Sequence, residues 1–89
     1  MKLQTAVRAF LAARFPSAYE EPILLSRLNR SGAMDETVDA GRLHDALVTL
    51  ASRFREVECL TDNDGTQAWS ATPRGVSVWT EQGRPAVGG

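Results

Sequence analysis

Between Val57 and Thr72 the chain folds back on itself and then starts a helix, an order that few small folds accommodate. Two β-prone runs, Val57-Glu58-Cys59-Leu60-Thr61 and Thr66-Gln67-Ala68-Trp69-Ser70-Ala71, flank Asp62-Asn63-Asp64-Gly65. Asp-Gly between such runs is a strong hairpin signal, because Gly, Asn and Asp enter positive φ at little cost. Thr72-Pro73-Arg74-Gly75 follows at once. Thr72 offers a side-chain oxygen to the free amides of a new helix, and Pro73 at the first position forfeits no hydrogen bond. The spacing predicts that helix over Pro73 to about Glu81, with Val76, Val78 and Trp79 as packing residues and Gly83 as its stop. Arg84-Pro85-Ala86-Val87-Gly88-Gly89 reads as a frayed tail, residues 84–89.

Everything before Val57 reads as helical. Leu3, Val7, Phe10 and Leu11 recur at helical spacing and form one apolar stripe, closed by Arg14 at the carboxyl end. Pro16 biases Phe15 away from the helical region and stops that element. A second helix starts near Glu20, with Pro22 in its first turn and Glu20 and Glu21 matched to the amino-terminal dipole. Its buried face is Ile23, Leu24, Leu25 and Leu28, and Gly32 is its left-handed stop. Ala33 to Val38 is too short and acidic for a helix and is expected as a brief extended segment, an edge strand. Asp39 then caps a third helix over about Ala40 to Phe54. Leu43, Ala46, Leu47, Leu50, Ala51 and Phe54 repeat there at three and four residues, the clearest period in the chain. No internal repeat or long linker divides the sequence, so residues 1–83 are expected as one domain.

Composition narrows the function classes. With 43% hydrophobic residues in 89, wholesale disorder is excluded. A chain this short buries only about 60–65% of its unfolded surface, so pairing with a second copy would help it. Cys59 is the single cysteine, which excludes a disulfide framework and a multi-cysteine zinc site, and it is expected as a buried, inert thiol. No apolar run approaches the ~20 residues of a membrane span, and the amino terminus lacks a signal-peptide core. A cytoplasmic protein with no membrane contact is expected. Ten basic residues against eleven acidic ones give a net charge of −1, less basic than most nucleic-acid modules. Nine of the ten bases are arginine, which favours planar, bidentate contacts.

The order helix, helix, short strand, helix, two-stranded wing, helix resembles the winged helix-turn-helix superfamily over roughly Lys2 to Gln82. The fold class expected is therefore α+β: three helices, a two-stranded β-hairpin wing and a short closing helix. Ala71-Thr72-Pro73-Arg74-Gly75 looks like the Leu-Thr-Pro-x-Gly that often opens the last helix in bacterial regulators of the PadR and MarR kind, with Ala71 in place of leucine. The resemblance implies a small bacterial or phage regulator, homodimeric, that holds double-stranded DNA with its third helix in the major groove. Carried over by position, Arg42, Asp45, Thr49, Ser52 and Arg53 face the groove, Arg27 and Arg30 hold the backbone, and Asn63, Thr66 and Gln67 sit on the wing. Asp62 and Asp64 stand where a phosphate-facing loop would carry Lys or Arg. Asp45 is repelled by phosphate unless it pairs with Arg42 or accepts from a cytosine amine. An ordinary solvated helix face accounts for Arg42, Asp45 and Thr49 equally well. The alternative is a module whose face binds another protein and ignores DNA.

Catalysis has little to stand on. His44 neighbours Asp45, but no activated nucleophile or Gly-x-Ser-x-Gly turn accompanies it. If Gly65 is set at the invariant glycine of a calcium loop, Leu60 and Ala71 fall at positions that need oxygen donors, so no metal site is expected. No phosphate-binding glycine loop occurs and no cofactor is expected. Trp69 and Trp79 read either as core, packing the wing and last helix onto the bundle, or as anchors of an interaction patch.

Overall fold

Two helices begin on a side-chain cap and another ends on a left-handed glycine. In a computed structural model of the protein, which describes residues 1–88, the elements are α1 (Leu3–Ala13), α2 (Glu21–Ser31), α3 (Ala40–Ser52), β1 (Val57–Thr61), β2 (Gln67–Ala71) and α4 (Pro73–Glu81). They make an α+β domain of four helices and one antiparallel hairpin. Asp39 caps α3 by accepting from the Arg42 amide at 2.8 Å, and Thr72 caps α4 by accepting from the Gly75 amide at 3.1 Å. Gly32 ends α2 at φ +72°, the left-handed cap that its sequence position requires.

The core lies where the stripes of α1, α2 and α3 meet. Phe10 and Leu11, Leu24 and Leu28, and Leu43, Leu47 and Leu50 are wholly removed from solvent. Each such side chain stabilises the fold by about 1.5–3 kcal/mol relative to leaving it in water. The hairpin pairs Val57 with Ala71, Cys59 with Trp69 and Thr61 with Gln67, and the Asp62 amide donates to the Thr66 carbonyl at 3.0 Å. Gly65, at φ +88°, takes the positive backbone angle at the turn.

Four expectations change. Ile23, read as part of the buried face of α2, is 44% exposed, and only Leu24 and Leu28 of that helix are buried. Ala33 to Val38 forms no strand. The side-chain amide of Asn29 donates to the Val38 carbonyl and its oxygen accepts from the Val38 amide, at 3.0 and 2.9 Å, so both backbone groups that a neighbouring strand would use are taken. The extra extended residue lies instead between α1 and α2. Tyr19 exchanges two 2.8 Å backbone hydrogen bonds with Trp69, on the side of β2 away from β1. Phe10 meets the Tyr19 ring edge-on at 5.1 Å, which seats that segment on α1.

Cys59 is exposed, not buried: β1 leaves the helices after Val57, and its remaining four residues are in solvent. The segment after Gly83, read from sequence as a frayed tail, is packed as far as Val87, which is only 4% exposed. Arg14 holds it by donating to the Val87 carbonyl at 3.2 Å while its guanidinium stacks 3.7 Å from the centre of the Phe10 ring. The indole of Trp79 donates to the Pro85 carbonyl at 2.9 Å. Gly89 lies outside the described residues.

One residue ties these parts together. Glu56, in the bend between α3 and β1, is 3% exposed, and its carboxylate takes a two-pronged bond from the guanidinium of Arg8 on α1, with Nη2 to Oε1 at 3.0 Å. Its amide donates to the Leu50 carbonyl, and its carbonyl accepts from the Thr72 amide at 3.1 Å. That carbonyl also lies against Gly75, where an added Cβ would sit 2.1 Å away. The Thr72 hydroxyl donates to the neighbouring Arg55 carbonyl at 2.6 Å. Thr-Pro-x-Gly is thus a docking device: it caps α4 and lets that helix lie on the bend.

Two consequences are measurable. Gly75→Ala is expected to destabilise the domain by about 2–3 kcal/mol, a fall of about 10–20 °C in the thermal midpoint read by circular dichroism. Arg8→Met, which strands a buried carboxylate, is expected to cost about 3–5 kcal/mol in urea unfolding, whereas Arg8→Met with Glu56→Leu recovers most of that loss.

Candidate nucleic-acid interface

The outer side of α3 is fixed by its inner side. With Leu43, Leu47 and Leu50 on the core, helical spacing turns Gly41, Asp45, Val48 and Ser52 furthest outward. Asp45, Ser52, Arg42 and Arg53 are exposed and Thr49 is half-buried, so the five positions assigned to groove reading lie on accessible surface. They do not form one uniform patch. Arg42, Asp45 and Thr49 border a groove of about 510 Å³ against the start of α1, opposite Lys2 and Thr5. Ser52 donates its hydroxyl to the Val48 carbonyl at 2.7 Å, so that proton is committed to the helix itself. Arg53 leans over the Phe54 ring, 5.6 Å from its centre.

Arg42 and Asp45 do not pair. Among the described residues Arg8–Glu56 is the only arginine–carboxylate contact within 4.0 Å, which leaves Arg27, Arg30, Arg42 and Arg53 without carboxylate partners. Arg27 is half-buried and Arg30 exposed on α2. An unpaired guanidinium keeps its donor fork open to an incoming anion.

On its other side α3 is tethered. Glu21 sits 3.2 Å from His44 Nδ1 and accepts from the Trp69 indole at 3.2 Å, so one carboxylate links α2, α3 and β2. Trp69 is core, at 5% exposure, and Trp79 is half-buried under the terminal segment. Reading by polarity alone missed two residues. His44 sits beside the outward side of α3, and Val48, 41% exposed, lies at the centre of that side. The helical period already puts Val48 between Asp45 and Ser52; only its apolar character kept it off a polar inventory.

In comparisons with known proteins, no family model, no curated protein and no solved structure matches the chain.

At the hairpin tip the wing candidates part ways. Asn63 and Gln67 are exposed, but Thr66 is spent on the turn, donating its hydroxyl to Asp64 at 2.6 Å and its amide to both Asp62 and Asp64 at 3.0 Å. Hydrogen bonding with the Asp62 carboxyl first, and then with the Thr66 hydroxyl and amide, holds the Asp64 carboxyl down to about 2. The tip therefore stays anionic throughout the physiological range. Among the described residues no cluster of three or more His, Cys, Asp or Glu is placed to hold a metal ion, and no helix is long and apolar enough to cross a membrane.

The tip makes a titration prediction. A folded-state pKa below the ordinary 3.8 means that the turn gains from Asp64 above that value and loses the gain as pH falls through about 2. Carboxyl carbon shifts in NMR are expected to give Asp64 a midpoint near 2, and Thr66→Val to move it back toward 3.8.

Proposed function

We propose that this protein is a small winged-helix DNA-binding domain, a transcriptional regulator whose α3 enters the major groove. The observation that carries the reading is the outward side of α3: a capped, thirteen-residue helix held from behind by α1 and α2, with Arg42 and Arg53 free of carboxylate partners. An α-helix fits the major groove, and arginine is the side chain best matched to guanine. Val48 offers a methyl-bearing contact for thymine at the middle of the same surface. Arg27 and Arg30, on the preceding helix, grip the phosphate backbone and set the register. Asp45 is the discriminating acid, accepting from a cytosine amine and repelled elsewhere.

The wing takes a smaller share in this reading than the resemblance implies. The acidic tip, with Asp64 held ionised, stays away from phosphates, and Asn63 and Gln67 remain as its only wing candidates with uncommitted side chains. The same acidic tip, with Leu60 44% exposed beside it, favours a second reading, in which the domain binds another protein and no duplex.

A salt titration separates the two. Generic duplex is expected to bind at ~20 mM salt and to weaken with a log–log slope of about −3 to −4, as for roughly four neutralised phosphates. Arg42→Ala with Arg53→Ala is expected to abolish binding while circular dichroism stays unchanged. If no duplex is held at ~20 mM salt, where screening is slight, the protein-binding module takes its place.

A further inference from the structure

The cleft between the start of α1 and the side of α3 brings together donors that the fold itself does not use. Its volume, about 510 Å³, falls within the roughly 300–1,000 Å³ of small-molecule sites. Leu3 and Ala46 give it an apolar wall, edged by the hydroxyls of Thr5 and Thr49. α1 opens on Lys2 with no side-chain cap, and the amides of Leu3, Gln4 and Thr5 have no partner among the described residues. Those three residues all line the cleft. Arg8 adds a donor one turn further on, since helical side chains lean back toward the amino terminus. It is only 9% exposed; Nε and Nη2 are bonded to Glu56, and Nη1 is bonded to nothing. No buried side-chain nitrogen among the described residues lacks a partner, so Nη1 keeps an accessible side. Arg8 lines this cleft, and there its third nitrogen is open. With Glu56 holding the other two, that donor is fixed in direction before anything binds.

Charge narrows the occupant. Arg8 and Glu56 neutralise each other. Lys2 and Arg42 line the cleft without a carboxylate partner, and Asp45 is the one acid that lines it, which leaves a single positive charge in excess. A phosphate dianion exceeds that charge, and a bare ion leaves the wall of Leu3 and Ala46 against water. We infer that the cleft binds a small organic monocarboxylate. Its carboxylate accepts from Arg8 Nη1 and Arg42 at the uncapped start of α1, where the helix dipole also favours an anion. An apolar body of about six to ten carbons lies along Leu3 and Ala46.

Arg42, Asp45 and Thr49 line the cleft from the same side of α3 that is proposed to enter the major groove. A carboxylate that draws Arg42 into the cleft takes that guanidinium away from a guanine, so the ligand and duplex compete. This competition rests on the DNA reading; the binding site itself does not.

NMR titration of the free protein tests the site without DNA. With hexanoate, phenylacetate or cyclohexanecarboxylate, the amides of Leu3, Gln4 and Thr5 and the Arg8 Nε–H are expected to shift saturably, with Kd millimolar or tighter. Hexanamide lacks the charge and inorganic phosphate lacks the apolar body, and each is expected to bind at least roughly tenfold more weakly than hexanoate. Thr5→Phe, which fills the cleft from α1, is expected to remove the shifts while circular dichroism stays unchanged. Should that variant unfold, Arg42→Gln is expected to weaken hexanoate at least roughly tenfold. The proposal is overturned if none of the three carboxylates saturates by about 50 mM, if hexanamide or phosphate binds equally well, or if the shifts centre elsewhere. Hexanoate is expected to displace duplex from the native protein; binding in the cleft with duplex affinity unchanged overturns the competition and leaves the site. Hexanoate bound in a protein that holds no duplex at ~20 mM salt overturns the DNA reading alone.

Discussion

The contact of α1, α3 and α4 at Glu56 governs the rest of the fold. Removing a carboxylate and a guanidinium from water is costly, and their attraction offsets the cost only when geometry and neighbouring hydrogen bonds are good. Here the fork of Arg8 meets both carboxylate oxygens, while the backbone of the same residue is bonded to the end of α3 and the start of α4. A greasy pair could fill that volume equally well, but it would not fix direction. A bidentate bond specifies where the chain leaves α3, and from that exit angle follow the line of β1 and the seat of the closing helix. The approach of the Glu56 carbonyl to Gly75 completes the joint, because any side chain there would wedge α4 away.

The sequence made much of this legible, because local rules act over short spans. Helix limits came within two residues or so wherever a cap was written into the chain: Asp39, Thr72 with Pro73, Gly32. The hairpin was readable because Asp-Gly needs no distant partner to turn. What stayed hidden was everything that depends on where segments meet. Nothing local marks Tyr19 as a strand residue, since its pairing consists of two bonds to Trp69, fifty positions away. Nor does the sequence warn that Asn29 will satisfy Val38 from nine residues upstream and so dissolve an expected strand. Arg8 looked like one arginine among nine until Glu56 stood beside it.

The candidate site divides in the same way. Periodicity placed Arg42, Asp45, Thr49, Ser52 and Arg53 on one accessible side of α3, because the apolar positions leave no other orientation. It could not say that Ser52 turns its proton onto its own helix or that Thr66 belongs to the turn's internal bonding, as those depend on rotamers. It also undervalued apolar members. Val48 and Leu60 are both more than two-fifths exposed, at 41% and 44%, and each sits in the middle of a surface otherwise described by its charges.

Glu21 has one further use. Its carboxylate serves an imidazole at the edge of α3 and the buried indole of Trp69 at the same time. Whatever draws His44 aside alters the polar surroundings of that indole, and indole emission follows its surroundings. A buried indole is thereby coupled, through one carboxylate, to the position of an imidazole on α3, and the coupling is readable as emission from unlabelled protein.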